Sequence, residues 1–143
     1  MHMIQGGCHC GNISYIAEFP NEPSAYTPRV CDCKLCSSHE AAYATDNNGI
    51  LSFKIKNKND VSKYRQGSRI AEFLICKICG VMIGVCYEEK GSIYGAINIR
   101  SAHDYRAFGK SHPARLTQLT DEDRINRWKK LWFSNIKVEY EIV

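Results

Sequence analysis

Short segments in which apolar and polar residues alternate with period two run through most of the chain, punctuated by Gly, Asn and Pro. The alternation predicts half-buried strands at residues 12–18, 40–45, 51–55, 62–65, 69–75, 82–87 and 92–98, with a last one at 137–142. "NEP" near residue 21, "DNNG" at 46–49, "QGS" at 66–68 and "EEKGS" at 88–92 supply the turns. One helix stands out in "TDEDRINRWKKLWFSN", residues 120–135. Thr120 can cap it, Asp121, Glu122 and Asp123 sit at its positive end, and Lys129 and Lys130 lie nearer its negative end. Ile125, Trp128, Leu131 and Trp132 fall on one stripe, which predicts a helix packed across a sheet and a stripe that is core rather than a ligand platform. The fold class that follows is mainly β, with one C-terminal amphipathic helix.

With 143 residues, and no linker or composition shift, residues 1–143 are expected to form a single domain with a real core. No apolar run approaches the roughly 18 residues of a membrane span, and "MHMIQGGCHCG" has neither the basic region nor the apolar stretch of a secretory signal. The expected address is the cytosol, where thiols stay reduced. Eight cysteines are then better explained by metal than by disulfides. The formal net charge of +4 suggests a nucleic-acid partner until ligation is considered. Seven thiolates holding two zinc ions would bring it to about +1, and the basic excess largely disappears. Lys54, Lys56 and Lys58 in "FKIKNK" read as the solvated face of an edge strand.

The cysteines fall into three clusters: Cys8 and Cys10 in "GGCHCG", Cys31, Cys33 and Cys36 in "CDCKLC", and Cys76 and Cys79 in "CKICG". Cys86 stands alone in "VMIGVCY" and reads as a small buried hydrophobe. "CKICG" is a knuckle whose two sulfurs point at one centre, and Gly80 lets the turn reverse. Adding the pair in "CHC" gives a tetrahedral site of four thiolates, Cys8, Cys10, Cys76 and Cys79. Cys31, Cys33 and Cys36 remain as a set of three. Three protein ligands with a fourth position for water or substrate are the pattern of a catalytic zinc, whereas closed four-ligand sites are structural. Closure by His39, through C-x-x-C-x-x-H, or by Cys86 would instead make the second site structural too. His9, between two ligands on an extended segment, should point away from the metal. Arg65, Arg69 and Arg100 could hold a carboxylate but read as ordinary surface charges. No phosphate loop, Ser-His-Asp order or H-E-x-x-H helix is present.

Taken together, "GGCHCG", "CDCKLC" and "FLICKICGVMIG", in this order and spacing from about Gly6 to Asn98, resemble the glutathione-dependent formaldehyde-activating enzyme family, which includes centromere protein V. The resemblance implies an Mss4-like fold of small antiparallel sheets converging on zinc sites, with two Zn2+ per chain. It implies Cys8, Cys10, Cys76 and Cys79 as structural ligands and Cys31, Cys33 and Cys36 as ligands of a catalytic zinc, in agreement with the ligand count. The family's reaction joins glutathione and formaldehyde into S-hydroxymethylglutathione, so the expected function is that of a carbon–sulfur lyase acting on adducts of a thiol with a small aldehyde. An open zinc position would lower the pKa of a bound thiol or polarise the carbonyl. A non-catalytic zinc module that binds protein or nucleic acid is the alternative.

Overall fold

The computed structural model describes residues 1–114 and 119–141. Each expected strand is present, and three further ones, one of six residues and two of three, join them. In chain order they are β1 (His2–Gly7), β2 (Ile13–Phe19), β3 (Arg29–Cys31), β4 (Ala42–Ala44), β5 (Ile50–Ile55), β6 (Val61–Tyr64), β7 (Glu72–Cys76), β8 (Met82–Glu89), β9 (Ser92–Asn98), β10 (His112–Ala114) and β11 (Asn135–Tyr140). The helices are α1 (Lys34–Ser38) and α2 (Asp121–Leu131). Residue 142, assigned from sequence to the last strand, lies outside the described residues.

The strands form a four-stranded sheet, β1-β2-β5-β11, and a seven-stranded sheet, β10-β3-β4-β9-β8-β7-β6. Hairpin neighbours pair antiparallel, whereas β11 runs parallel to β5 and β10 parallel to β3. Those two parallel pairs join segments far apart in sequence, as parallel pairing requires. Because β5 lies between β2 and β11, Lys54 is exposed on the face of an interior strand. The "FKIKNK" lysines are solvated as expected, but they do not mark an edge.

Alternation sorts the side chains of the seven-stranded sheet to its two faces. Ala42 and Ala44 of β4, Leu74 of β7, Ile83 of β8 and Ile97 of β9 pack against Ile13, Tyr15, Leu51 and Phe53 of the smaller sheet. The opposite face carries Tyr43, Phe73, Val85 and Ala96, packed under Trp128 and Trp132 of the α2 end of the chain. Between β7 and β8 the register slips, because Leu74 faces Gly84 while Ile75 faces Met82. The extra residue is Ile83. It enters the inter-sheet core while Met82 and Val85 both turn toward α2, as a bulge allows.

The α2 helix begins where the sequence places it, with Thr120 Oγ1 accepting the Asp123 backbone N–H at 3.1 Å. It ends at Leu131 rather than at residue 135. Trp132 is already extended, and Phe133 is drawn into a bridge with Gly95 of β9, exchanging backbone bonds of 3.0 and 2.9 Å. Thr45 and Asn47 hold the helix terminus by donating to the carbonyls of Leu131, Lys129 and Trp132. Among the described residues, no helix is long and apolar enough to cross a membrane.

Phe19 is fully buried and meets Tyr26, Phe108 and Phe133 at ring separations of 4.7, 5.6 and 5.2 Å. Phe19→Ala should therefore cost about 3–5 kcal/mol in denaturant unfolding. A loss under about 1 kcal/mol would mean that this aromatic cluster is not part of the core.

Candidate metal centres and their cavity

Both cysteine groupings expected from sequence form in space. The Sγ atoms of Cys8, Cys10, Cys76 and Cys79 all lie within 4.8 Å of one another, and so do those of Cys31, Cys33 and Cys36. Among the described residues, no His, Asp or Glu joins either group. His9 is exposed and contributes nothing to the first, as expected.

The four-cysteine group is built from two turns. One follows β1, where Cys8 and Ile13 pair through the backbone at 2.9 Å and Gly11, at φ +86°, reverses the chain. The Ile13 N–H also points at Cys8 Sγ, at 3.3 Å. The other joins β7 to β8, where Gly80, at φ +78°, donates to the Cys76 carbonyl at 2.9 Å. The left-handed backbone at both glycines is what lets each turn present two sulfurs to one point. A tetrahedral zinc with bonds of about 2.3 Å separates its sulfurs by roughly 3.8 Å. Here Cys8 and Cys10 are 3.7 Å apart, and Cys10 and Cys76 are 3.5 Å apart. An all-thiolate set with this spacing fits zinc.

The three-cysteine group spans the end of β3 and α1. Cys31 closes the strand, Cys33 caps the helix with its sulfur 3.4 Å from the Cys36 N–H, and Cys36 is buried in the first turn. Tyr43 of β4 brings its hydroxyl within 3.1 Å of Cys36 Sγ. Gln66, in the turn before β7, donates toward Cys33 Sγ at 3.8 Å. Neither His39 nor Cys86 belongs to this set. His39 instead ends α1 through its backbone N–H, and Cys86 packs with the inter-sheet core on the other face of the sheet. Both closures weighed from sequence are thereby removed among the described residues, and the set remains three.

What this trio faces is a cavity of about 210 Å³. Phe73 and Val85 of the large sheet form part of its lining, Gln66 to Ser68 one rim, and α2 the opposite wall. Trp128 and Trp132 stack there with centroids 4.8 Å apart and planes at 17°. The tryptophan stripe is thus core, as the sequence implies, and also a cavity wall, which the sequence reading had excluded. Arg29, Arg124 and Arg127 also line the cavity. The arginines considered from sequence lie elsewhere: Arg65 binds the Arg69 carbonyl and Glu72, and Arg100 sits over the Tyr105 ring.

The free thiols differ sharply in acidity. The Cys36 thiol beside it holds Cys31 down to about 6, against the effect of burial, while Cys36 itself is pushed up by the same contact. Burial is the main force raising the Tyr43 hydroxyl, with Cys36 adding to it, so this group stays protonated. In the other group burial is outweighed by the backbone N–H groups of Val81 and Cys10, which bring Cys79 to about 6. Burial alone accounts for most of the rise of Cys86 to about 12.

The model of the family described as glutathione-dependent formaldehyde-activating enzyme matches residues 3–115. The chain belongs to this family. All seven clustered cysteines fall within the family segment, and α2 falls outside it. No curated protein matches the chain. A crystal structure of a Rhodobacter sphaeroides protein, a structural genomics target, is similar over 96% of this chain and 99% of that one, at 20% identity and a TM-score of 0.53. At that identity the likeness speaks for the fold alone.

Burial predicts that Cys86 resists alkylation in folded, zinc-loaded protein at pH 7. Its thiol, raised to about 12, should react with iodoacetamide far more slowly than in urea-unfolded protein. Peptide mapping by mass spectrometry over a time course would show it. Equal rates in folded and unfolded protein would contradict the burial described above.

Proposed function

We propose that the protein is a zinc-dependent carbon–sulfur lyase acting on adducts of a thiol, glutathione or a similar one, with formaldehyde or a related small electrophile. The observation that carries this reading is that a donor set of three cysteines lines a cavity of about 210 Å³ and, among the described residues, is not closed by a fourth side chain. Cys31, Cys33 and Cys36 would hold the metal of the reaction, and Cys8, Cys10, Cys76 and Cys79 a second zinc that secures the fold. Bound by the trio, zinc supplies Lewis acidity and favours the anionic form of an added thiol.

In the forming direction the thiol sulfur bonds to the aldehyde carbon, the carbonyl π pair moves to oxygen, and the thiol proton ends on that oxygen. The lyase direction breaks the same C–S bond and returns the proton. The chain's own residues prepare the site for this exchange. The Tyr43 hydroxyl, kept protonated by burial, can donate to the Cys36 thiolate and so fix its position. Gln66 does the same from the rim for Cys33. Phe73, Val85 and the tryptophan pair surround the cavity with apolar surface that limits water. A reducing compartment such as the cytosol would keep all seven ligands as thiols available for metal.

Exchange NMR on an equilibrium mixture of formaldehyde and glutathione tests the reading. Zinc-loaded protein should accelerate interconversion of free and S-hydroxymethyl thiol in proportion to its concentration, and Cys33→Ser should abolish this with a modest loss of stability. No acceleration with glutathione or with a panel of small thiols would overturn the lyase assignment. Cys79→Ser should unfold the domain, as read by circular dichroism. Equal loss of folding in Cys33→Ser and Cys79→Ser would argue against separate roles for the two sites.

A further inference from the structure

The wall of the cavity that lies opposite the large sheet comes from outside the family segment. Residues 3–115 contain every clustered cysteine, but Arg124, Arg127, Trp128 and Trp132 come after them. Arg29, from β3, and Arg127, from α2, are each half-buried and line the same cavity. Among the described residues, no carboxylate forms an ion pair with either of them, whereas Arg124 is engaged by Asp121 at 3.6 Å. Two half-buried guanidinium groups lining one cavity, neither in an ion pair with a described carboxylate, are unfavourable unless an anion joins them.

We infer that Arg29 and Arg127 form an anion-binding wall that selects thiols bearing a carboxylate, and that α2, rather than the family segment alone, therefore sets substrate specificity. This rests on the proposed function for the word thiol, but the anion site stands on the cavity geometry. The planar fork of each guanidinium can take a carboxylate through two parallel N–H bonds. The stacked tryptophans beside Arg127 offer a flat apolar surface to the remainder of the substrate. The thiol end would then point toward Cys31, Cys33 and Cys36, which line the same cavity.

The chain has two tryptophans, and both line this cavity, so intrinsic fluorescence reports its occupancy directly. The probe is N-acetyl-S-methylglutathione, which carries two carboxylates and has neither a free thiol to react nor a charged amine, with its dimethyl ester as the neutral counterpart. Zinc-loaded wild-type protein should bind the parent at least about tenfold more tightly than the ester. Arg127→Gln should raise the Kd of the parent about tenfold or more and leave that of the ester nearly unchanged, while Arg127→Lys should recover part of the loss. Lys130→Gln, an exposed change on the same helix, should alter neither, and circular dichroism with zinc content checks that every variant is folded. Equal affinity for parent and ester, an Arg127→Gln variant that binds like wild type, or no binding of either probe would overturn the inference. If binding follows the charge as expected while adduct exchange is not accelerated, the lyase reading fails and the anion wall stands. If exchange is accelerated but binding ignores the charge at Arg127, the wall alone fails.

Discussion

The structure depends on the meeting of two chain reversals at the four-cysteine group. Cys8 and Cys10 come from the turn between β1 and β2 of the smaller sheet, and Cys76 and Cys79 from the turn between β7 and β8 of the larger one. Four thiolates brought this close repel unless a cation joins them, and a structural zinc contributes on the order of 10 kcal/mol or more to a fold that gathers its ligands. A zinc held there would fasten the two sheets at one end, and the apolar layer between them, from Ile13 to Phe133, extends from this group. The strand pairings can then stay short, as they are for β3, β4 and β10.

The large sheet separates the tasks of the molecule. Its inner face completes the core with the small sheet, and its outer face supports α2 and the cavity before Cys31, Cys33 and Cys36. Ile83, the extra residue in β8, makes the division possible by turning inward while its neighbours Met82 and Val85 face outward. Asn98 serves the same sheet from within. Its amide accepts from the backbone of Ala42 and Arg100 and donates to the Met82 carbonyl at 3.0 Å, so a buried polar side chain links β9 to β4 and β8 with its hydrogen bonds met. The trio is therefore supported on one side by a rigid sheet and left open on the other.

Much of this was legible because its signals are local. The start of β9 follows from the turn that "EEKGS" marks, and Thr120 marks the start of α2 by its capping chemistry. The two cysteine groupings followed from spacing and from the number of donors that zinc requires. The start of β7 was misjudged because Arg69 takes a left-handed φ of +62° and belongs to the preceding turn. β3 and β10 are three residues each and exist by pairing across the chain, β10 with β3 and β3 with β4 as well, so no periodicity could announce them. α1 is equally short, and its cap is a cysteine sulfur. The cavity was hidden for the same reason: Arg29, Tyr43, Gln66 and Arg127 meet only through tertiary structure, and an arginine on a helix carries no mark in sequence of the partner it faces.

The central claim is that the chain holds two zinc ions in unlike surroundings, one closed by four thiolates and one left open by three. Metal analysis by mass spectrometry, combined with X-ray absorption at the zinc edge on protein purified without chelator, tests it most directly. The account predicts about two zincs per chain, with roughly seven sulfur ligands shared between them and the remaining position filled by a light atom such as oxygen or nitrogen. One zinc per chain would contradict it, as would two zincs with every position filled by sulfur.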